Sequence, residues 1–166
     1  CEGLVFLPYL TGERCPYPDP DARGGWVGLT VRHQRQHMIR AVLEGVTMGM
    51  RDQVEIMRES GVKISEVRLS GGGAASKFWR QLQADMYHAK AVTINTQQGG
   101  ALGVALLAAV GTGEYKSVPE ACKAAIKPVE TLKPQKAAAK VYDKLHATYQ
   151  SLYRNLKGDF KALGAV

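Results

Sequence analysis

At 166 residues, 45% of them apolar and 22% charged, the chain has the size and balance of one globular domain with a sizeable core. Its longest apolar run, residues 101–110, is broken by Gly103 and too short to cross a bilayer, so no membrane-spanning segment is expected. The net charge of +7 is uneven: from Tyr115 onward 10 Lys or Arg face 4 Asp or Glu, yet no Arg–aromatic interleaving suits base stacking, which argues for a solvated Lys-rich helix face over a nucleic-acid surface.

No basic-then-apolar leader opens the chain, and its start at Cys1 rather than Met reads as a fragment or a processed form with chain missing upstream. Gly3–Leu10 reads as a short strand, followed by a turn-rich stretch whose Pro16, Pro18 and Pro20 exclude ladder pairing. Trp26–Leu29 reads as a second strand. Thr30 then suits the N-cap of a helix running to about Ser60, with Ile39, Val42, Leu43, Val46, Met50, Val54 and Met57 as its inward stripe. Gly61 closes that helix. Ile64–Leu69 alternates as a strand, 70–73 turn, and Ala74–Ala89 form a helix with Phe78, Leu82 and Met86 on one face. Ala91–Ile94 is a strand, Gly99–Val110 a helix rich in small residues, and Ser117 caps a short helix to Ile126 with Pro119 in its first turn. Pro128 and Pro134 bound a connector. The last helix runs from about Gln135 to Leu156, with Val141, Leu145, Thr148, Leu152 and Leu156 inward. Strands alternating with helices argue for an α/β domain.

Chemistry-bearing patterns are few. Gly71, Gly72 and Gly73 lie between a strand and a helix, where a ligand can approach bare backbone and a helix N-terminus favours an anion; the same pattern also serves as a plain tight turn. It is not a dinucleotide fingerprint, because Ser76 stands where that motif needs glycine. It is not a P-loop either, since Phe78 follows Lys77 in place of Ser or Thr. His33 and His37 sit one helical turn apart, but Gln34 replaces the Glu of the zinc-protease pattern and no third ligand is near in sequence. Glu13, Asp19 and Asp21 lack calcium-loop spacing. Cys1, Cys15 and Cys122 are odd in number and widely spaced, as free thiols in a reducing cytoplasm would be. No metal site and no catalytic residue is assigned.

Four longer segments carry a resemblance. Gly24–Leu29, seven residues, and His37–Glu44 together look like a signature of the FGGY carbohydrate kinases, the family of glycerol and xylulose kinases. Leu69–Met86 is similar to that family's adenosine motif, and Gly99–Gly111 to the small-residue helix after it. Phe6–Arg14 with Asp19–Gly24 looks most like the xylulose kinase branch. The resemblance spans essentially all 166 residues.

It implies an actin-like (ribonuclease H-like) α/β fold, with residues 1–166 as the C-terminal half of a two-domain sugar kinase, cut short at its N-terminal edge. ATP, with Mg2+, would be bound through Gly71, Gly72, Gly73 and Ser76. The parent enzyme would pass the γ-phosphate to D-xylulose in the cytoplasm, with an N-terminal kinase domain as partner and a homodimer in prospect. Neither nucleic acid nor membrane is an expected partner. The family's Gly-Asp-Gln or Gly-Asp-Asn motif, which carries its catalytic Asp, does not occur, since Phe160 follows Gly158 and Asp159; the fragment alone is therefore expected to be inactive. Another pentulose or glycerol-type kinase, or a non-catalytic nucleotide-binding or assembly module, are the other readings.

Overall fold

A computed structural model describes residues 1–165. The elements in chain order are β1 (Val5–Leu7), β2 (Gly25–Val27), α1 (Arg35–Glu59), β3 (Glu66–Leu69), a 3-10 turn (Gly72–Ala75), α2 (Lys77–Tyr87), β4 (Lys90–Ile94), α3 (Gly99–Gly111), α4 (Val118–Ala125), β5 (Pro128–Leu132) and α5 (Lys136–Gly164). They pack as two compact units. Unit 1 holds Cys1–Ile64, Asp85–Tyr87 and the chain from Gln135 onward; unit 2 holds Ser65–Ala84 and His88–Pro134.

In unit 1, β1 and β2 pair antiparallel with Phe6 opposite Trp26, their rings 4.7 Å apart. Helix α1 lies close on β1: a Cβ at Gly45 would stand 2.1 Å from the Phe6 carbonyl oxygen, so only glycine allows this approach. Leu4, Phe6 and Ala41 form an apolar nucleus with Met38 and Val42 against it. Beyond it α1 meets α5 through polar groups. The Asp52 carboxylate, 3% exposed, accepts from Gln150 at 2.7 Å and pairs with His146 at 2.8 Å. Arg51 donates to Asp143 at 2.8 Å, and Tyr142 Oη donates to the buried Glu44 at 3.2 Å. The Tyr153 hydroxyl donates to Asp19 at 2.8 Å, tying the 13–22 loop to α5.

This seam changes which helix faces are inward. On α1 the buried positions include Glu44, Thr47, Met48, Arg51 and Asp52, while Ile39, Met50 and Met57 are exposed. On α5 they are Ala139, Tyr142, His146, Tyr149, Tyr153 and Phe160, a ridge one residue on from the expected stripe, and Val141 is exposed. Paired polar groups and tyrosines, whose rings are apolar, are buried in preference to the aliphatic stripes. Helix α1 also begins later than the Thr30 cap predicts. The Thr30 N–H donates to His33 Nδ1 at 2.8 Å and the His33 N–H returns to the Thr30 carbonyl at 3.0 Å, closing a turn ahead of the helix.

In unit 2 the sheet order is β3-β4-β5, with β3 and β4 parallel and β5 antiparallel to β4. Strand β5 is a correction, because Pro128 and Pro134 mark a connector in the sequence. Pro128 is its first residue, registered against Ile94 where the ladder is irregular, and β5 is an edge strand; these are positions where sheets accept proline. Ser117 caps α4 as expected, accepting from the Glu120 N–H at 3.4 Å. The helix expected from Ala74 divides into the 3-10 turn and α2, because Ser76 is extended and caps α2.

Candidate functional site

The parallel pair β3–β4 places two loop-to-helix junctions side by side. From the C-terminal end of β3 the chain passes through 70–76 into α2; from that of β4 it passes through 95–98 into α3. Ligands of open α/β sheets bind outside the carboxyl ends of parallel strands, where helix N-termini carry partial positive charge. The Gly71 N–H donates to the Gln97 carbonyl at 3.2 Å, which joins the two loops. A Cβ at Gly99 would lie 3.3 Å from Ser70 Oγ, so glycine lets α3 start close against that loop.

These loops wall a cavity of about 350 Å³ in unit 2. Ser70, Gly71, Ala74, Thr93, Thr96 and Gln97 line it, with Arg80 and Glu130 at its side. The volume lies within the range of small-ligand sites, roughly 300–1,000 Å³. A larger cavity of about 540 Å³ lies in unit 1 beside Arg40, Glu44, Tyr142 and Leu145. The smaller one is the better candidate, because the carboxyl ends of the parallel strands β3 and β4 and the loops that lead from them into α2 and α3 line it.

The expected binding residues take different places. Gly71 lines the cavity with φ +77°, a conformation that favours glycine. Gly72 is exposed and opens the 3-10 turn; a Cβ there would meet nothing within 4 Å, and the same holds at Gly71. Two adjacent positions therefore present bare backbone to open space. Gly73 faces protein instead: its Cβ would stand 2.8 Å from the Trp79 ring. The exposed Ser76 accepts from the Trp79 N–H at 3.3 Å as the cap of α2.

Arg80 and Glu130, which sequence reading missed, complete the wall. Arg80, on the first turn of α2, donates to the carbonyl of Ala74 at 2.5 Å and of Ala75 at 3.1 Å, and to Glu130 Oε2 at 2.5 Å. Lys77 lies 3.4 Å from Glu130 Oε1. The hydrogen bond from Arg80, and after it that from Lys77, holds the Glu130 carboxyl below the usual carboxylate range despite its partial desolvation. No local motif announces an ion pair spanning 50 residues of sequence.

One feature bears on an adenine nucleotide: Gly71 lines the cavity, Gly72 lies beside it in sequence, and a side chain at either would occupy space that is open. The site's residues offer no ligand set for magnesium: among the described residues no group of three His, Cys, Asp or Glu is placed to hold a metal ion, and Glu130 is engaged by two cations. His33 and His37 accept backbone N–H bonds through Nδ1 and serve the start of α1. Among the described residues no helix is long and apolar enough to cross a membrane.

Residues 1–112 match the model of the FGGY family of carbohydrate kinases, C-terminal domain. Over 155 residues, 93% of this chain and 31% of the relative, the sequence is 36% identical to a xylulose kinase of Staphylococcus epidermidis. A ligand-bound xylulose kinase structure from Lactobacillus acidophilus superposes with a TM-score of 0.90 at 33% identity, over 98% of this chain and 33% of that one. A gluconate kinase from the same organism gives 0.89, also at 33% identity and with the same coverage. The chain thus spans about a third of the length of the proteins it matches. Its fold is that of the C-terminal domain of these sugar kinases, the actin-like α/β type.

Proposed function

The chain belongs to the FGGY family of carbohydrate kinases, as its C-terminal domain, and from that premise we propose that residues 1–166 form the nucleotide-binding domain of a kinase that transfers the ATP γ-phosphate to D-xylulose. The observation that carries the reading is the pair Gly71 and Gly72, open backbone at the carboxyl end of β3 beside the starts of α2 and α3. In this reading Gly71 and Gly72 lie against the nucleoside, Gly73 keeps the turn tight against Trp79, and the Ser76 hydroxyl, while capping α2, directs its proton to the nucleotide. Magnesium supplies charge neutralisation on the phosphates and is assigned to no residue of this chain. The sugar, its base and a second domain belong to the remainder of the protein, which we place in the cytoplasm, with a homodimer as the assembly to test.

Similarity to xylulose kinases in sequence and structure supports the pentulose. The gluconate kinase at nearly the same TM-score favours a second reading, a sugar-acid substrate. An ADP-release assay on the full-length protein with D-xylulose, D-gluconate and glycerol separates them. Turnover with D-xylulose well above the other two is expected; preference for gluconate would move the substrate, and release with none of them would remove the kinase reading.

A further inference from the structure

The 3-10 turn is short, and turns of this kind have weak hydrogen-bond geometry of their own. Its last carbonyls, at Ala74 and Ala75, would be left to solvent at the step into α2, where Ser76 turns extended. Both are instead taken by one guanidinium. Side chains on a helix lean toward its N-terminus, so Arg80, in the first turn of α2, reaches back to the turn that precedes its own helix. Its other edge is held by Glu130 on β5, and the side chain is only 12% exposed. One planar cation thus joins three elements of unit 2: the glycine turn, α2 and the edge strand. A lysine could not do this, because its single ammonium lacks the fork that meets two carbonyls and a carboxylate at once.

We infer that Arg80, oriented by Glu130, is a positioning residue for the nucleotide: it fixes the Ala74 and Ala75 carbonyls, and so the pitch at which Gly71 and Gly72 present their backbone to the ligand. The inference rests on the proposed nucleotide role of that loop. Arg80 need not touch the ligand. Its effect is on how much of the population holds the loop ready to bind, and a ligand's apparent affinity falls with that fraction. Glu130 acts one step further back, by keeping the guanidinium turned toward the carbonyls.

The test uses the full-length protein with Arg80→Lys, Glu130→Gln, their double variant, and Gly72→Val as a reference, measuring the two Michaelis constants, kcat and the melting temperature of each. Arg80→Lys should raise KM for ATP about tenfold, the scale of one lost charge-assisted hydrogen bond, while KM for the sugar and kcat stay near the parent values. Glu130→Gln should raise KM for ATP less, and adding it to Arg80→Lys should change little more, because both act through one guanidinium. A role in stability alone would lower the melting temperature and leave KM for ATP untouched, which overturns the inference. Should Arg80→Lys fail to fold, Glu130→Gln decides alone by the same split. If Gly72→Val raises KM for ATP and neither clamp variant does, the clamp falls while the nucleotide reading stands; if none of them moves it, both fall.

Discussion

A Cβ added at Gly71 or Gly72 meets open space, yet the two substitutions ask different questions. Gly71 has φ +77°, so Gly71→Ala adds backbone strain of roughly 1–2 kcal/mol whatever the ligand does. Gly72 is outside the left-handed region, so bulk can be added there without that strain. Gly72→Val is therefore the cleaner probe. In the full-length protein it should raise KM for ATP about tenfold or more, corresponding to roughly 1–3 kcal/mol of steric conflict with the ligand, with the sugar KM and the melting temperature unchanged. A folded variant with parental ATP dependence would reduce the loop to a turn. At Gly73 the neighbour is the Trp79 ring, so Gly73→Ala should show first in stability. The glycine run was legible in the sequence as a place where backbone is bared. That its third member serves a tryptophan was not, because spacing along a chain does not say which side of a turn faces solvent.

Between elements, the α1–α5 contact of unit 1 is where periodicity misleads. An apolar stripe predicts the inward face only when the partner offers apolar surface. Here α5 offers Tyr142, His146 and Gln150, and α1 answers with Glu44 and Asp52. Removing the Asp52 carboxylate leaves a buried histidine and a glutamine amide without their acceptor. Asp52→Ala should cost about 3 kcal/mol of stability, as breaking other buried pairs does, read as a lower denaturant midpoint; a midpoint within error of the parent would make the seam incidental. The contact at the 13–22 loop carries a pH dependence. The Tyr153 hydrogen bond holds the Asp19 carboxyl below its ordinary range, with the Asp21 backbone N–H adding to it. A depressed carboxylate contributes stability that is present above its unfolded pKa, about 3.9, and is lost as the pH falls through the lower folded value. Asp19→Asn should therefore flatten the acid limb of the stability profile below pH 4 or so and leave its slope near neutrality alone. Element order and most boundaries were readable from propensity and caps, Ser117 of α4 among them. The edge strand β5 was not, since Pro128 looks like a breaker until its edge position is known.

For the chain as a whole, what is present and what is absent decide its expected activity. Its candidate site has the glycine turn, the starts of α2 and α3 and the Arg80–Glu130 pair, which in the proposed reading hold and shape the nucleotide. In the cavity wall the carboxylate is Glu130, already paired with Arg80 and Lys77 and held below the usual range, so it is a poor base for a sugar hydroxyl. The chain corresponds to about a third of its relatives' length, and phosphoryl transfer depends on positioning and charge neutralisation drawn from several parts at once. Losing proximity alone removes a large share of a rate enhancement, on the order of 7 kcal/mol or more. The 166-residue chain, given ATP, Mg2+ and D-xylulose, should therefore release ADP at the background rate, while the full-length protein under the same conditions turns over. The control that gives this meaning is nucleotide binding by the chain itself: amide shifts of Gly71 and Gly72 on titration with ADP should appear even though turnover does not. Sugar-dependent ADP release that co-purifies with the chain through successive columns would place a catalytic base within these residues. The candidates would then be the exposed acids of the loops, since Glu44 and Asp52 are buried and already bonded.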